Sequence, residues 1–149
     1  MEINSASQLL ELCAERNQDI ARVVAEYEAF RGNTSYEEVR EQMRETLRVM
    51  RASVENGMQD KGERTHIITG YGHQFQQGCN EGKVLGGSLL QNVVLYALAV
   101  GQHNAGVGRI VACPTAGACG VVPGAVLAVA DELQSSDEEL VDALFVMGG

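Results

Sequence analysis

Along this chain apolar residues recur every three or four positions, the period of a helix with one face against a core. Asn4 or Ser5 can cap a first run, in which Leu9, Leu10, Leu12 and Cys13 are apolar. Ser5 and Gln8 have the spacing of a capping box there. A second run covers 17–30, with Ile20, Val23, Val24 and Tyr27 at i, i+3, i+4 and i+7, and Gly32-Asn33 stops it. Ser35 and Glu38 form another capping box, opening the longest pattern. In it Tyr36, Val39, Met43, Leu47, Met50, Val54 and Met58 share one face, while Glu and Arg occupy the other. Residues 65–83 are polar and show no period, so they read as a long irregular loop, the place for a lid or a site wall. Residues 86–100 are almost wholly apolar and predict the central helix. A further pattern runs from Val121 to Leu133 with Pro123 in its first turn. Ser136 with Glu139 then caps a last helix through Leu140, Val141, Leu144 and Phe145. No run alternates with period two, and 111–122 is too rich in Gly and Pro for a central strand. The expected fold is all-α: a helical domain with a buried central apolar helix and a Gly/Pro-rich loop before a helix N-terminus.

Composition refines this picture. The 149 residues suffice for one domain, and with 45% hydrophobic residues, 5% aromatic residues and no Trp the core must be aliphatic. The net charge of −9 is unevenly placed: residues 1–64 hold charged amphipathic helices, whereas 84–130 contain Arg109 as their single charge. Residues 84–149 therefore read as buried helices and a site loop. An acidic chain without basic clusters is a poor partner for nucleic acid or an anionic membrane. The first residues carry no basic, apolar leader, and the apolar stretch from Val84 to Val100 is too short and too interrupted to span a bilayer. The expected location is the cytoplasm, with the four cysteines reduced. Cys13 falls on the apolar side of its helix, as core. The methionines of the long helix suit the interior of a bundle better than partner binding.

Candidate chemistry gathers between Gly106 and Gly124. This stretch contains both prolines, Pro114 and Pro123, and two cysteines, Cys113 and Cys119. A glycine-rich turn running into a helix start presents free amide N–H groups and a partial positive charge, suited to a carboxylate, a phosphate or a thiolate. Cys119 stands just before that start, where a thiolate would have its pKa lowered. The plain alternative is a tight connection with a small packed cysteine. No Gly-Lys-Ser/Thr follows, so this is not a P-loop, and Gly106-Val-Gly-Arg lacks the third glycine of a dinucleotide fingerprint. His66, His73 and Cys79 have no zinc-site spacing.

These residues carry a resemblance. Asn104-Ala-Gly-Val-Gly-Arg-Ile-Val-Ala and Pro114-Thr-Ala-Gly-Ala-Cys-Gly-Val-Val-Pro-Gly124 resemble the α chain, or catalytic domain, of the bacterial iron–sulfur L-serine dehydratases. Thr69-Gly, Leu85-Gly and Arg48-Val-Met50 extend the likeness over nearly the whole chain. The resemblance implies conversion of L-serine to pyruvate and ammonia by an enzyme with a [4Fe–4S] cluster and no pyridoxal phosphate. It implies Cys119 as one of three cysteine ligands, and Asn104, Thr115 and Gly117 as substrate-binding positions. It also implies a β-chain partner and a homo-oligomer. An open iron makes chemical sense, because hydroxide is a poor leaving group and needs a Lewis acid. Two departures stand out. The family's other cysteine ligands lie in a later Cys-Asp-Pro … Pro-Cys segment, and the Ser-Ser-His-Thr-type loop belongs to the β domain; neither is in this sequence. The chain thus looks like a truncated α chain, expected to bind no cluster and catalyse nothing alone. Cys113 stands where the family has Ala. Other readings are a related cluster-dependent lyase acting on cysteine or another β-substituted amino acid, a non-enzymatic helical interaction module, and a cysteine-nucleophile enzyme pairing Cys119 with His73 or His103.

Overall fold

The computed structural model describes residues 3–61 and 70–148. Among them are seven α-helices: α1 (Ala6–Arg16), α2 (Ile20–Gly32), α3 (Tyr36–Gln59), α4 (Tyr71–Asn80), α5 (Ser88–Ala105), α6 (Val121–Leu133) and α7 (Asp137–Gly148). A 3-10 turn (Ala116–Ala118) precedes α6, and no strand occurs among the described residues. The all-α expectation holds. The 65–83 loop does not: 71–80 form α4, and 65–69 lie outside the described residues. Gly72, Gly78 and the polar residues between them hid that helix from a periodicity reading.

The contacts divide into two compact units, Met1–Leu47 with Ser136–Gly149, and Arg48–Ser135. In the first, α2 packs on α7 and α1 on α2. Val23, Val24, Leu140, Val141, Leu144 and Phe145 are buried there, each apolar side chain contributing roughly 1.5–3 kcal/mol. Cys13 is only half-buried, on a helix with no fully buried residue. Each helix that begins in this unit has a side-chain cap. Ser5 accepts from Gln8 N–H, Asp19 from Arg22, Ser35 from Glu38 and Ser136 from Glu139. The Arg40 guanidinium, 10% exposed, donates to Asp142 and Glu138 at 2.6 Å each. Arg44 adds a 2.7 Å bond to Glu138, and these two arginines, Arg44 foremost, hold the Glu138 carboxyl down at about 2.

The second unit is built differently. Its helix α5 has no charged residue and packs on α6 and α4. The seam with α6 depends on glycine: a Cβ at Gly120 would lie 2.6 Å from the Ala97 carbonyl oxygen, and one at Gly124 2.9 Å from that of Val93. Gly57 of α3 approaches still closer, with its would-be Cβ 1.9 Å from the Ala99 carbonyl. Leu95, Ala99 and Val100 are buried on the inner side of α5. Ala116–Leu133 is apolar enough to invite comparison with a membrane span. Its α-helical part is the 13-residue α6, roughly 20 Å long against about 30 Å of bilayer hydrocarbon.

Candidate functional site

All the chemistry-bearing residues between 102 and 124 lie in the second unit, where α5 ends, the chain reverses, and α6 begins. Two backbone bonds make the reversal. Val107 N–H donates to the Asn104 carbonyl at 3.1 Å, and Gly108 N–H to the His103 carbonyl at 2.9 Å. This paired ending puts the intervening residue in the left-handed region. The same pair of bonds ends α1, α2, α4 and α6, where that residue is Asn17, Asn33, Gly82 and Gln134. At the end of α5 it is Val107, with φ 61°. A branched side chain there crowds the following carbonyl, at a cost of roughly 1–2 kcal/mol. Val107 is 96% exposed, so burial returns nothing for that strain.

Gly108 makes the turn tight. A Cβ at 108 would stand 2.3 Å from His103 Nε2, so only glycine lets the chain fold across the buried imidazole. Just before that histidine, Gln102 is 1% exposed and uses both ends of its amide. Its Nε2 donates to the Asp60 carbonyl, and its Oε1 accepts from Gly72 N–H at 3.4 Å. The side chain thereby ties the end of α3 and the start of α4 to the last turn of α5. Gln102 and Gly108 were missed by sequence reasoning. The available signal was an amide side chain within the mostly apolar α5, which must find partners when buried.

On the other arm, Cys113 N–H donates to the Thr115 carbonyl at 3.3 Å. Thr115 opens the 3-10 turn, its hydroxyl accepting from Ala118 N–H at 3.3 Å. Cys119 N–H closes that turn on the Ala116 carbonyl at 3.4 Å. Helix α6 follows with no side-chain cap. Pro123 has no N–H, and Gly124 N–H makes a 2.9 Å bond back to the Gly120 carbonyl. The amides of Val121 and Val122 precede that bond, at the positive end of the helix dipole.

Of the expected site residues, Asn104, Thr115 and Gly117 are solvent-exposed, whereas Cys119 is 2% exposed. The thiol electrostatics correct the sequence expectation. Burial pushes the Cys119 thiol up from its ordinary value rather than down. Burial raises Cys113 too, with a further push from neighbouring Cys119. Desolvation thus outweighs the helix start. A raised thiol is the wrong starting point for a nucleophile, which works as thiolate.

As a donor set, the described residues contain no group of three or more His, Cys, Asp or Glu able to hold a metal ion. His73 and Cys79 sit six residues apart on α4, on faces about 120° from one another, and His66 lies outside the described residues. Cys119 is a single buried thiol between Ala118 and Gly120, and the described residues hold no ligand set for a whole cluster.

The profile of the family described as "Serine dehydratase alpha chain" matches residues 15–149. The chain is 33% identical to the probable L-serine dehydratase, alpha chain, of Bacillus subtilis (strain 168) over 144 residues, which cover 97% of this chain and 48% of that one. It is 31% identical to the L-serine dehydratase, alpha chain, of Peptoniphilus asaccharolyticus, over 97% of this chain and 49% of the relative. Against the L-serine dehydratase of Streptomyces coelicolor (strain ATCC BAA-471 / A3(2) / M145) identity is 30%, over 97% and 32%. The chain thus spans about half the length of the α chains it matches. No solved structure matches.

Proposed function

The chain belongs to the serine dehydratase α-chain family, and we propose that it is the N-terminal part of the catalytic chain of an L-serine ammonia-lyase. The reaction removes the α-proton and the β-hydroxide of L-serine as water. The resulting 2-aminoacrylate tautomerises to an imine and is hydrolysed to pyruvate and ammonia. The observation that carries this reading is the family match over residues 15–149, with Cys119 buried at the uncapped start of α6 inside it.

In this reading the substrate carboxylate docks at the corner, where Asn104, Thr115 and the Gly117 amide offer hydrogen bonds and the α6 dipole favours an anion. Cys119 is this chain's ligand to a [4Fe–4S] cluster, which when bound supplies a Lewis acid for the departing hydroxide. Deprotonation of its raised thiol is then coupled to binding iron, as for any cysteine ligand. In this reading the remaining ligands belong to the rest of the longer α chain, and the 149-residue chain alone is expected to be inactive. Following the resemblance, we take the reaction to proceed without pyridoxal phosphate. We place the reaction in the reducing cytoplasm, where the free cysteines stay thiols, and with a β chain as partner.

A substrate panel tests this. The complete α chain, made anaerobically with its β chain, should release pyruvate from L-serine far faster than from L-cysteine or other β-substituted amino acids. The 149-residue chain alone should release none. Preference for L-cysteine would move the assignment to a different lyase, and deamination by the 149-residue chain would refute the need for ligands beyond it.

A further inference from the structure

The last turn of α5 carries Gln102 inward and Asn104 outward. Residues two apart on a helix point about 200° away from one another. Their surroundings differ accordingly: Asn104 is exposed, whereas Gln102 is fully buried. Whatever fixes the Gln102 side chain therefore also fixes the direction in which Asn104 faces. Farther back along α5 the helix is held by close backbone approach. Gly57 of α3 packs against Ala99 there, and the would-be Cβ of Gly72 in α4 lies 3.7 Å from the Ala99 nitrogen. One turn on, Gln102 continues the contact with hydrogen bonds. Its Nε2 donates to the Asp60 carbonyl, just past α3, and its Oε1 accepts from Gly72 N–H in the first turn of α4. An amide side chain can donate and accept at once without carrying charge. A leucine in its place would leave that carbonyl and that N–H without the partner they have now.

We propose that Gln102 is a positioning residue for substrate binding: its clasp on the end of α3 and the start of α4 sets the rotation of the last α5 turn and so aims Asn104 at the L-serine carboxylate. This rests on the reading of the corner as the L-serine site. Gln102 lies behind the corner and acts through Asn104 rather than on the substrate. The backbone transmits the effect directly, because the carbonyls of His103 and Asn104 also receive the Gly108 and Val107 N–H bonds that reverse the chain. A contact that Asn104 makes equally with bound substrate and transition state shows in KM and leaves kcat alone. A side chain that only stabilises the fold behaves differently. Its loss lowers the share of active enzyme, and with it the apparent kcat, at unchanged KM.

Steady-state kinetics of the complete α chain, made anaerobically with its β chain, test the role. Gln102→Leu should raise the KM for L-serine about tenfold and leave kcat within about twofold of wild type. Where Gln102→Leu does not fold, Gln102→Asn carries the test with the same expected KM, since it keeps the amide but is one methylene short of its two partners. An active wild type whose variants keep their KM, or lose kcat alone, overturns the positioning role and leaves the substrate reading intact. A wild type that releases no pyruvate from L-serine refutes both. Hydrogen exchange of the 149-residue chain gives a readout independent of catalysis. In Gln102→Asn the amides of Val107 and Gly108 should exchange faster than in wild type, while those of α6 keep their rates. Unchanged exchange at 107 and 108 overturns the proposal, as does a uniform acceleration across α5 and α6, which would mark a general loss of stability.

Discussion

The two units solve the problem of holding helices together in opposite ways. The first secures its helices locally: serines and an aspartate cap their starts, and Arg40 and Arg44 bind the carboxylates of α7. The second begins α4, α5 and α6 at Gly70, Gly87 and Gly120 without a side-chain cap, and gains cohesion from glycines that let backbones touch. A cap satisfies the amides at a helix start, and by doing so removes them from use by a ligand. An uncapped helix start keeps those amide donors available to a ligand. The capped unit is finished by its own side chains, and the uncapped unit keeps amide donors in reserve beside Cys119.

The contrast is easiest to break at Gly57. Gly57→Val should cost about 3 kcal/mol or more and lower the unfolding midpoint strongly, because the Ala99 carbonyl stands 1.9 Å from the new Cβ. Gly101→Ala in α5, with nothing within 4 Å of its Cβ, should instead gain about 0.5–1 kcal/mol from helix propensity. Equal effects in chemical denaturation would deny the second unit its close-packed character.

Val107→Gly comes next in size. Relief of the left-handed strain should raise stability by about 1 kcal/mol. If the strain serves the site, the complete enzyme should lose activity while its unfolding midpoint rises. A variant that gains neither stability nor a changed KM would show that residue 107 is under no strain.

Acid should bring the least change. Glu138, held by Arg44 and Arg40, and Glu38, held by Thr34 and Ser35, both titrate at about 2 against an ordinary 4.5. Depressed carboxylates stabilise fully above the ordinary value, and that contribution fades as pH falls from about 4.5 through 2. The raised thiols work in the other direction: their contribution is present below the ordinary cysteine value and is lost as pH rises through the folded one. Because the carboxylates are exposed, their share should be small and salt-sensitive. Melting curves of wild type and Glu138→Gln from pH 5 to about 2 should therefore converge as the medium becomes acid, and parallel curves would rule the carboxylate out.

Much of the first unit was legible from sequence, because its rules are local. Ser5, Ser35 and Ser136 announced helix starts through a glutamine or glutamate three residues on, and Asn33 marked an end. The second unit was legible in outline only. Its apolar α5 and the start of α6 near Pro123 showed in the pattern, but Gly72 and Gly78 disguised α4 as loop. The Gln102 clasp joins residues 42 and 30 positions away, and no local rule reaches that far. Val107 was invisible for a different reason: a β-branched residue is the last choice for a left-handed position. Cys119 was located correctly beside a helix start, yet the local dipole argument misjudged its thiol, since burial depends on the whole fold.

The proposed chemistry rests on Cys119, and not neighbouring Cys113, as this chain's contribution to a cluster that deaminates L-serine. The direct measurement compares the visible absorbance of the cluster with pyruvate release in complete α chain made anaerobically with its β chain. Cys119→Ser should remove absorbance and activity together, since serine oxygen is a poorer ligand for iron–sulfur. Cys113→Ala should leave both close to wild type. Retention of absorbance and activity in Cys119→Ser, with their loss in Cys113→Ala, would refute the assignment.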